Sequence, residues 1–160
     1  MNQEEIKQEI NHLLVREIQA PLVSKLIKGF TRAIGKDKAL EIAQAVINED
    51  AALSGKTLAG KFSGNSLEEM LRIVQEVWAR DGIMKIENVS LDEKTLSFDV
   101  TCCGYAEMYQ RLGIQELGSL MSCSRDFAFM DGFNPKIELK RTKTIMEGDR
   151  VCDFRYIKKS

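Results

Sequence analysis

The hydrophobic pattern changes period near Ile83, and that change sets the architecture. Before it, apolar residues recur at three- and four-residue spacing, as on the buried stripe of a helix. After it, residues 83–91 and 95–102 are short segments rich in β-formers, separated by Asp92-Glu93-Lys94. That pair predicts a β-hairpin. Helical spacing returns over 104–112 and 115–130, split at Gly113, and two more strand segments follow at 136–145 and 151–157. Helices followed by β2-α2-β2 predict an α+β fold, with N-terminal helices packed on a four-stranded antiparallel sheet and two helices inserted between the strand pairs. The expected organisation is a single domain over 1–160, with a helical part over 1–82 and a mixed part over 83–160.

In the helical part, residues 3–18 form an amphipathic pattern that ends at Ala20-Pro21. A second helix carries the stripe Leu22, Val23, Leu26, Ile27, Phe30, Ala33 and Ile34 and stops at Gly35. A third starts near Asp37 and runs to about residue 53. Residues 54–64 (SGKTLAGKFSG) hold three glycines and read as a connector. Gly55-Lys56-Thr57 does not make a phosphate loop, because residue 50 is Asp where the first glycine belongs and no strand precedes it. Ser66 with Glu69 predicts a capping box opening the fourth helix.

The charge balance narrows the function. Lys and Arg number 23 against 24 Asp and Glu, for a net charge of −1, which gives no basic footing for a nucleic-acid partner. No apolar run approaches the roughly 20 residues of a membrane helix. The polar, acidic start MNQEEIKQEI lacks the features of a signal peptide. The expectation is a cytoplasmic protein with no membrane partner, whose four cysteines are thiols.

Three features carry candidate chemistry. On strand 136–145, Arg141 falls on the face of Ile137, Leu139 and Ile145. A guanidinium on an apolar face needs a partner. Either a structural ion pair to Asp126 or Asp153 or a substrate carboxylate would meet that need. Cys123 and Asp126 stand three apart on one helix face, as a buried thiol beside a carboxylate or as a nucleophile with an acid/base. Cys103 sits where strand passes to helix, a position that often faces a cleft, and Cys152 shares a face with Phe154 and Tyr156, which predicts core packing. In the second hairpin strand, alternation puts Cys102 with Leu96, Phe98 and Val100, and Cys103 on the polar side. No cofactor is predicted. If a metal is present, the thiolates of Cys103, Cys123 and Cys152 are its ligands, although their spacing matches no CxxC pattern. His12 is the only histidine. It falls on an exposed-looking helix and enters chemistry only by folding back onto the site.

Residues 99–157 carry Cys103-Gly-Tyr-Ala106-Glu, Leu112-Gly113, Glu116-Leu117-Gly118, Cys123-Ser-Arg-Asp126, Phe133-Asn134-Pro135, Leu139-Lys-Arg141-Thr142-Lys-Thr144, Met146-Glu-Gly148 and Cys152-Asp-Phe154-Arg155-Tyr156. In order and spacing these resemble the L-2-amino-thiazoline-4-carboxylic acid hydrolase family. The resemblance implies a hydrolase acting on a non-peptide C–N bond of a cyclic amidine, opening the thiazoline ring at C2 to give N-carbamoyl-cysteine. It implies a small-molecule substrate bearing a carboxylate. Catalytic candidates are then Cys123, Asp126 and Cys103, with Arg141, Tyr109, Asn134 and Arg155 as the substrate-binding set. Gly148-Asp-Arg-Val-Cys152-Asp-Phe154 also resembles the 4-vinyl-reductase-like domains, which implies a non-catalytic small-molecule-binding or sensing module instead. A third reading is a structural partner forming a homodimer through its N-terminal helices.

Overall fold

The structure, a computed structural model, describes residues 11–160. The first part of the helix expected over 3–18 therefore lies outside the described residues. Helix α1 (His12–Ile34) is capped by the Asn11 side chain, which accepts from the Leu14 amide at 2.9 Å. It runs straight through Pro21, where a break was expected. Proline removes one intrahelical bond, but Ala20, Ser24 and Ile27 on the same helix are buried, and that packing carries the chain across. The expected core stripe is mostly not core. Ile27 is buried, whereas Leu22, Leu26, Phe30 and Ile34 are 44–64% exposed.

After Gly35 (φ 87°), α2 (Lys36–Lys61) continues well past residue 53, through the segment read as a connector. The glycines there are packing residues rather than turn residues. A Cβ on Gly55 would fall 2.2 Å from the Phe129 carbonyl oxygen, and one on Gly132 would fall 1.8 Å from the Ala52 carbonyl oxygen. The backbones of α2 and α5 (Arg125–Phe133) thus approach closely enough to exclude any side chain at the crossing.

The capping box of Ser66 and Glu69 opens α3 (Leu67–Ile73), which runs into a π turn over Val74–Trp78 and a 3-10 turn over Arg80–Gly82. The hairpin is β1 (Met84–Leu91) and β2 (Thr95–Cys103), and α4 (Gly104–Arg111) follows at once. A 3-10 turn (Gln115–Leu117) and a π turn (Ser119–Cys123) lead into α5, where one continuous helix over 115–130 was expected. Strands β3 (Ile137–Lys140) and β4 (Cys152–Lys158) complete an antiparallel sheet of order β1-β2-β4-β3. The α+β architecture stands as expected.

One face of the sheet is the core. Leu96, Phe98, Val100, Phe154, Tyr156, Ile137 and Leu139 pack against Leu67, Met70, Ile73, Val74, Phe129 and Phe133. Strand β3 is shorter than expected, because the Asp153 carboxylate takes the Thr142 amide, the Thr142 hydroxyl and the Lys143 amide at 2.6–2.9 Å. These bonds draw the chain off the ladder after the Lys140–Arg155 pair. Arg141 therefore leaves the strand on which it was placed.

Candidate functional site

A cavity of about 90 Å³ opens between the start of α1, the middle of α2 and the inner face of β2 and β4. One buried water needs roughly 10–15 Å³ on the same measure, so the space suits a small ligand. Leu58, Trp78, Val100, Phe129 and Phe154 form much of its apolar wall. Its polar wall brings together Cys103, Cys123, Asp126, Arg141 and Cys152, all five of them singled out in the sequence. Four residues the sequence did not assign to the site join them: His12, Arg16, Tyr105 and Arg125.

Cys103 reaches the cavity through a register shift. Val100 pairs with Ile86 and Cys102 with Lys85, so Thr101 is an extra residue, a β-bulge. The bulge inverts the alternation beyond it. Cys102 is exposed, and Cys103 lines the cavity, the reverse of the expected faces. Burial pushes the Cys103 thiol up, opposed by the amides of Ala106 and Tyr105 at the N-terminus of α4. Cys123 is pushed up to about 12 by burial and by the Asp126 charge, and Cys152 to about 11, chiefly by burial. The Cys123 thiol lies 3.9 Å from the Thr144 hydroxyl. At neutral pH these cavity cysteines are thiols rather than thiolates. Among the described residues no three His, Cys, Asp or Glu side chains cluster as a metal-binding group.

Asp126 and Arg141 form an ion pair, with Arg141 Nη1 donating to Asp126 Oδ2. Arg141 Nη2 donates to the Cys123 carbonyl at 2.9 Å, and the guanidinium lies about 5 Å from the ring centroids of both Phe127 and Phe154. Only 4% of its side chain is exposed. Of the two carboxylates proposed for it, Asp126 is the partner, since Asp153 is taken by Thr142 and Lys143. Burial pushes the Asp126 carboxyl above its usual range, against the pull of Arg141. The Arg141 bond is the one protein hydrogen bond to the Asp126 carboxylate among the described residues. The π turn ending at Cys123 is the kind of helix distortion found at functional sites, and beyond it Cys123 and Asp126 both line the cavity.

His12 does fold back onto the site. Its Nδ1 is 2.9 Å from the Tyr105 hydroxyl, which in turn donates to the Trp78 carbonyl at 3.2 Å. Burial, with Arg16 and Arg125 nearby, lowers its pKa to about 4, so the ring is neutral. Arg125 pairs with Asp50. Arg16 contacts Gln19 at 3.2 Å and His12 at 3.4 Å and has no carboxylate partner among the described residues. The signal available in the sequence was the four-residue step from His12 to Arg16, and the place of Arg125 beside Asp126.

Three substrate-binding candidates do not line the cavity. Tyr109 is 1% exposed and packs in the core beside α1, and burial pushes its hydroxyl up to about 12. Asn134 ends α5, donating to the Asn65 carbonyl at 2.8 Å and accepting from the Lys136 amide at 3.0 Å, so it holds a turn. Arg155 alternates with the buried Phe154 and Tyr156, and it binds Asp99 and the carbonyls of Phe98 and Phe154, each at 2.8 Å.

Fold and cavity together define an α+β domain with a small, mostly apolar pocket that holds an ion pair and three thiols. The chain belongs to the L-2-amino-thiazoline-4-carboxylic acid hydrolase family, whose sequence model matches residues 15–156. No curated protein is detectably similar in sequence. In fold the chain is similar to a trafficking protein particle complex subunit 3 from Naegleria fowleri, solved covalently bound to palmitic acid. That likeness has a TM-score of 0.53 at 13% identity and covers 92% of this chain and 96% of that one. No helix among the described residues is long and apolar enough to cross a membrane.

Proposed function

We propose that this chain is a hydrolase that opens a small cyclic amidine bearing a carboxylate, such as 2-amino-thiazoline-4-carboxylate, in the cavity around Asp126. The observation that carries this reading is the convergence of Asp126, Arg141, Cys103 and Cys123 on one small cavity, in a chain of this family. The raised thiols disfavour a cysteine nucleophile and favour water activated by Asp126. Arg141 fixes one carboxylate oxygen and leaves the other for the water. As the water oxygen bonds to C2, Asp126 takes one proton and passes it to the ring nitrogen. The C2–S bond then breaks, the new hydroxyl becomes the carbamoyl oxygen, and its proton goes to the departing sulfur. N-carbamoyl-cysteine results, and the bond broken is C–S rather than C–N. Cys103 and Cys123 serve as neutral donors along the wall.

Arg141 is an unsuitable fork for the substrate carboxylate, since it is already committed to Asp126 and the Cys123 carbonyl. Arg16 takes that role. The test is incubation with the thiazoline acid, with N-carbamoyl-cysteine followed by mass spectrometry. Turnover in the wild type with a raised KM in Arg16→Met supports the reading. Absence of turnover with every cyclic amidine or amide analogue sinks it.

A second reading is binding or sensing without turnover. The raised thiols and the apolar wall favour it, as does the fold likeness to a protein solved with a bound acyl group. A ligand that raises the melting temperature and is recovered unchanged supports this alternative.

A further inference from the structure

An apolar ridge of six residues at four-residue spacing winds along α1: Leu14, Ile18, Leu22, Leu26, Phe30 and Ile34. They are 41–67% exposed. On the adjoining α2, Ile42, Val46 and Leu53 are 43–65% exposed. These nine leave on the order of 900 Å² of apolar surface open, against roughly 300–600 Å² for the largest patch on an ordinary monomer. A standard interface buries roughly 800 Å² per partner.

We propose that this face pairs with the same face of a second copy, forming a homodimer about a two-fold axis in which α1 of each chain lies across α2 of the other. A ridge at four-residue spacing packs into the grooves of a facing helix, and a two-fold interface requires a self-complementary patch. The charges on this face meet that requirement. Exposed Lys25 and Arg32 border the ridge on α1, and exposed Glu41 and Glu49 lie in the second and fourth turns of α2. The lysines of α2 stand toward its ends, at 36, 38, 56 and 61. Laying α1 across the partner's α2 sets the basic border against the acidic one. The proposal is independent of the catalytic reading, since none of these nine residues lines the cavity.

The test is size-exclusion chromatography with light scattering on the full chain at micromolar concentration. The expected mass is twice the 18.1 kDa of one chain. Ile18→Glu and Val46→Glu should each shift it to one chain with helix content unchanged by circular dichroism. Lys25→Glu with Arg32→Glu should weaken the dimer at least tenfold, and adding Glu41→Lys with Glu49→Lys should restore it. The charge-reversal set decides the matter if a glutamate variant fails to fold. A monomer at every concentration overturns the proposal, as does a dimer that ignores all these changes. A chain that stays monomeric alone and pellets only with phosphatidylcholine vesicles also overturns it.

Discussion

Removing the Arg141 guanidinium while keeping the volume, as in Arg141→Met, tests what that residue does. The side chain is 4% exposed, with its charge matched by Asp126 and its guanidinium about 5 Å from the Phe127 and Phe154 ring centroids. Methionine fills most of the space but leaves the Asp126 carboxylate inside without a counter-charge. Breaking a buried pair from one side costs about 3–5 kcal/mol. For a chain of this size each kcal/mol lowers Tm by roughly 2–4 °C, so the loss should be about 6–20 °C. Asp126→Asn should cost a comparable amount by stranding the guanidinium. The double variant removes both charges and should cost at least about 2 kcal/mol less than the sum of the singles. Urea denaturation of the four proteins at one pH measures the cycle. A cost under about 1 kcal/mol for Arg141→Met, or strict additivity, would refute the ion pair as a structural element and return Arg141 to ligand binding.

Four further outcomes follow from the same structure. His12 is held neutral, with a folded pKa of about 4 against the ordinary 6.5, and it faces Arg16, Arg125 and Tyr105. Its contribution is complete above pH 6.5 and is lost as pH falls toward 4, by at most about 3 kcal/mol. The wild type should therefore lose stability faster than His12→Gln over that window in pH-dependent urea melts, whereas parallel curves would contradict the burial. Gly132→Ala should destabilise by more than about 2 kcal/mol, because the new Cβ meets backbone. Gly60→Ala on α2 meets nothing within 4 Å and should be neutral or stabilising by about 0.5–1 kcal/mol in the same melts. Thiol labelling at pH 8 should modify exposed Cys102 first, with Cys103, Cys123 and Cys152 more than about tenfold slower. Equal rates at all four would show that the three cavity thiols are not shielded as the structure has them.

Much of the architecture was legible because periodicity reports burial directly. The switch near Ile83, the Ser66 capping box and the alternation of Leu96, Phe98 and Val100 each depend on neighbours a few residues away. What failed depended on contacts distant in sequence. Gly55 looked like turn punctuation because nothing nearby reveals α5 pressing on α2. The α1 stripe looked like core because a helix apolar on two sides does not say which side this chain itself covers. Pro21 looked like a break because its missing bond is local, whereas the packing that carries the helix through it is not.

The site was legible in its composition but not in its geometry. Cys123, Asp126 and Arg141 do meet, and Cys103 and Cys152 join them in the cavity wall. Cys103 does face a cleft from its strand-to-helix junction, although strand alternation put it on the polar side, because one extra residue at Thr101 inverts the pattern. Arg155 followed its strand phase to the face away from the core, and Asn134 and Tyr109 proved to hold a turn and a core. Arg16 was missed because its four-residue step from His12 lies in a surface-type helical pattern, which does not by itself point to a cavity.

The proposed hydrolysis depends on Asp126 acting on a ligand in this cavity. The most direct measurement is the kcat of Asp126→Asn on 2-amino-thiazoline-4-carboxylate, at a temperature where circular dichroism shows the variant folded. The kcat should fall at least about 100-fold, with KM changed far less. A folded Asp126→Asn variant that turns over at the wild-type rate would contradict it.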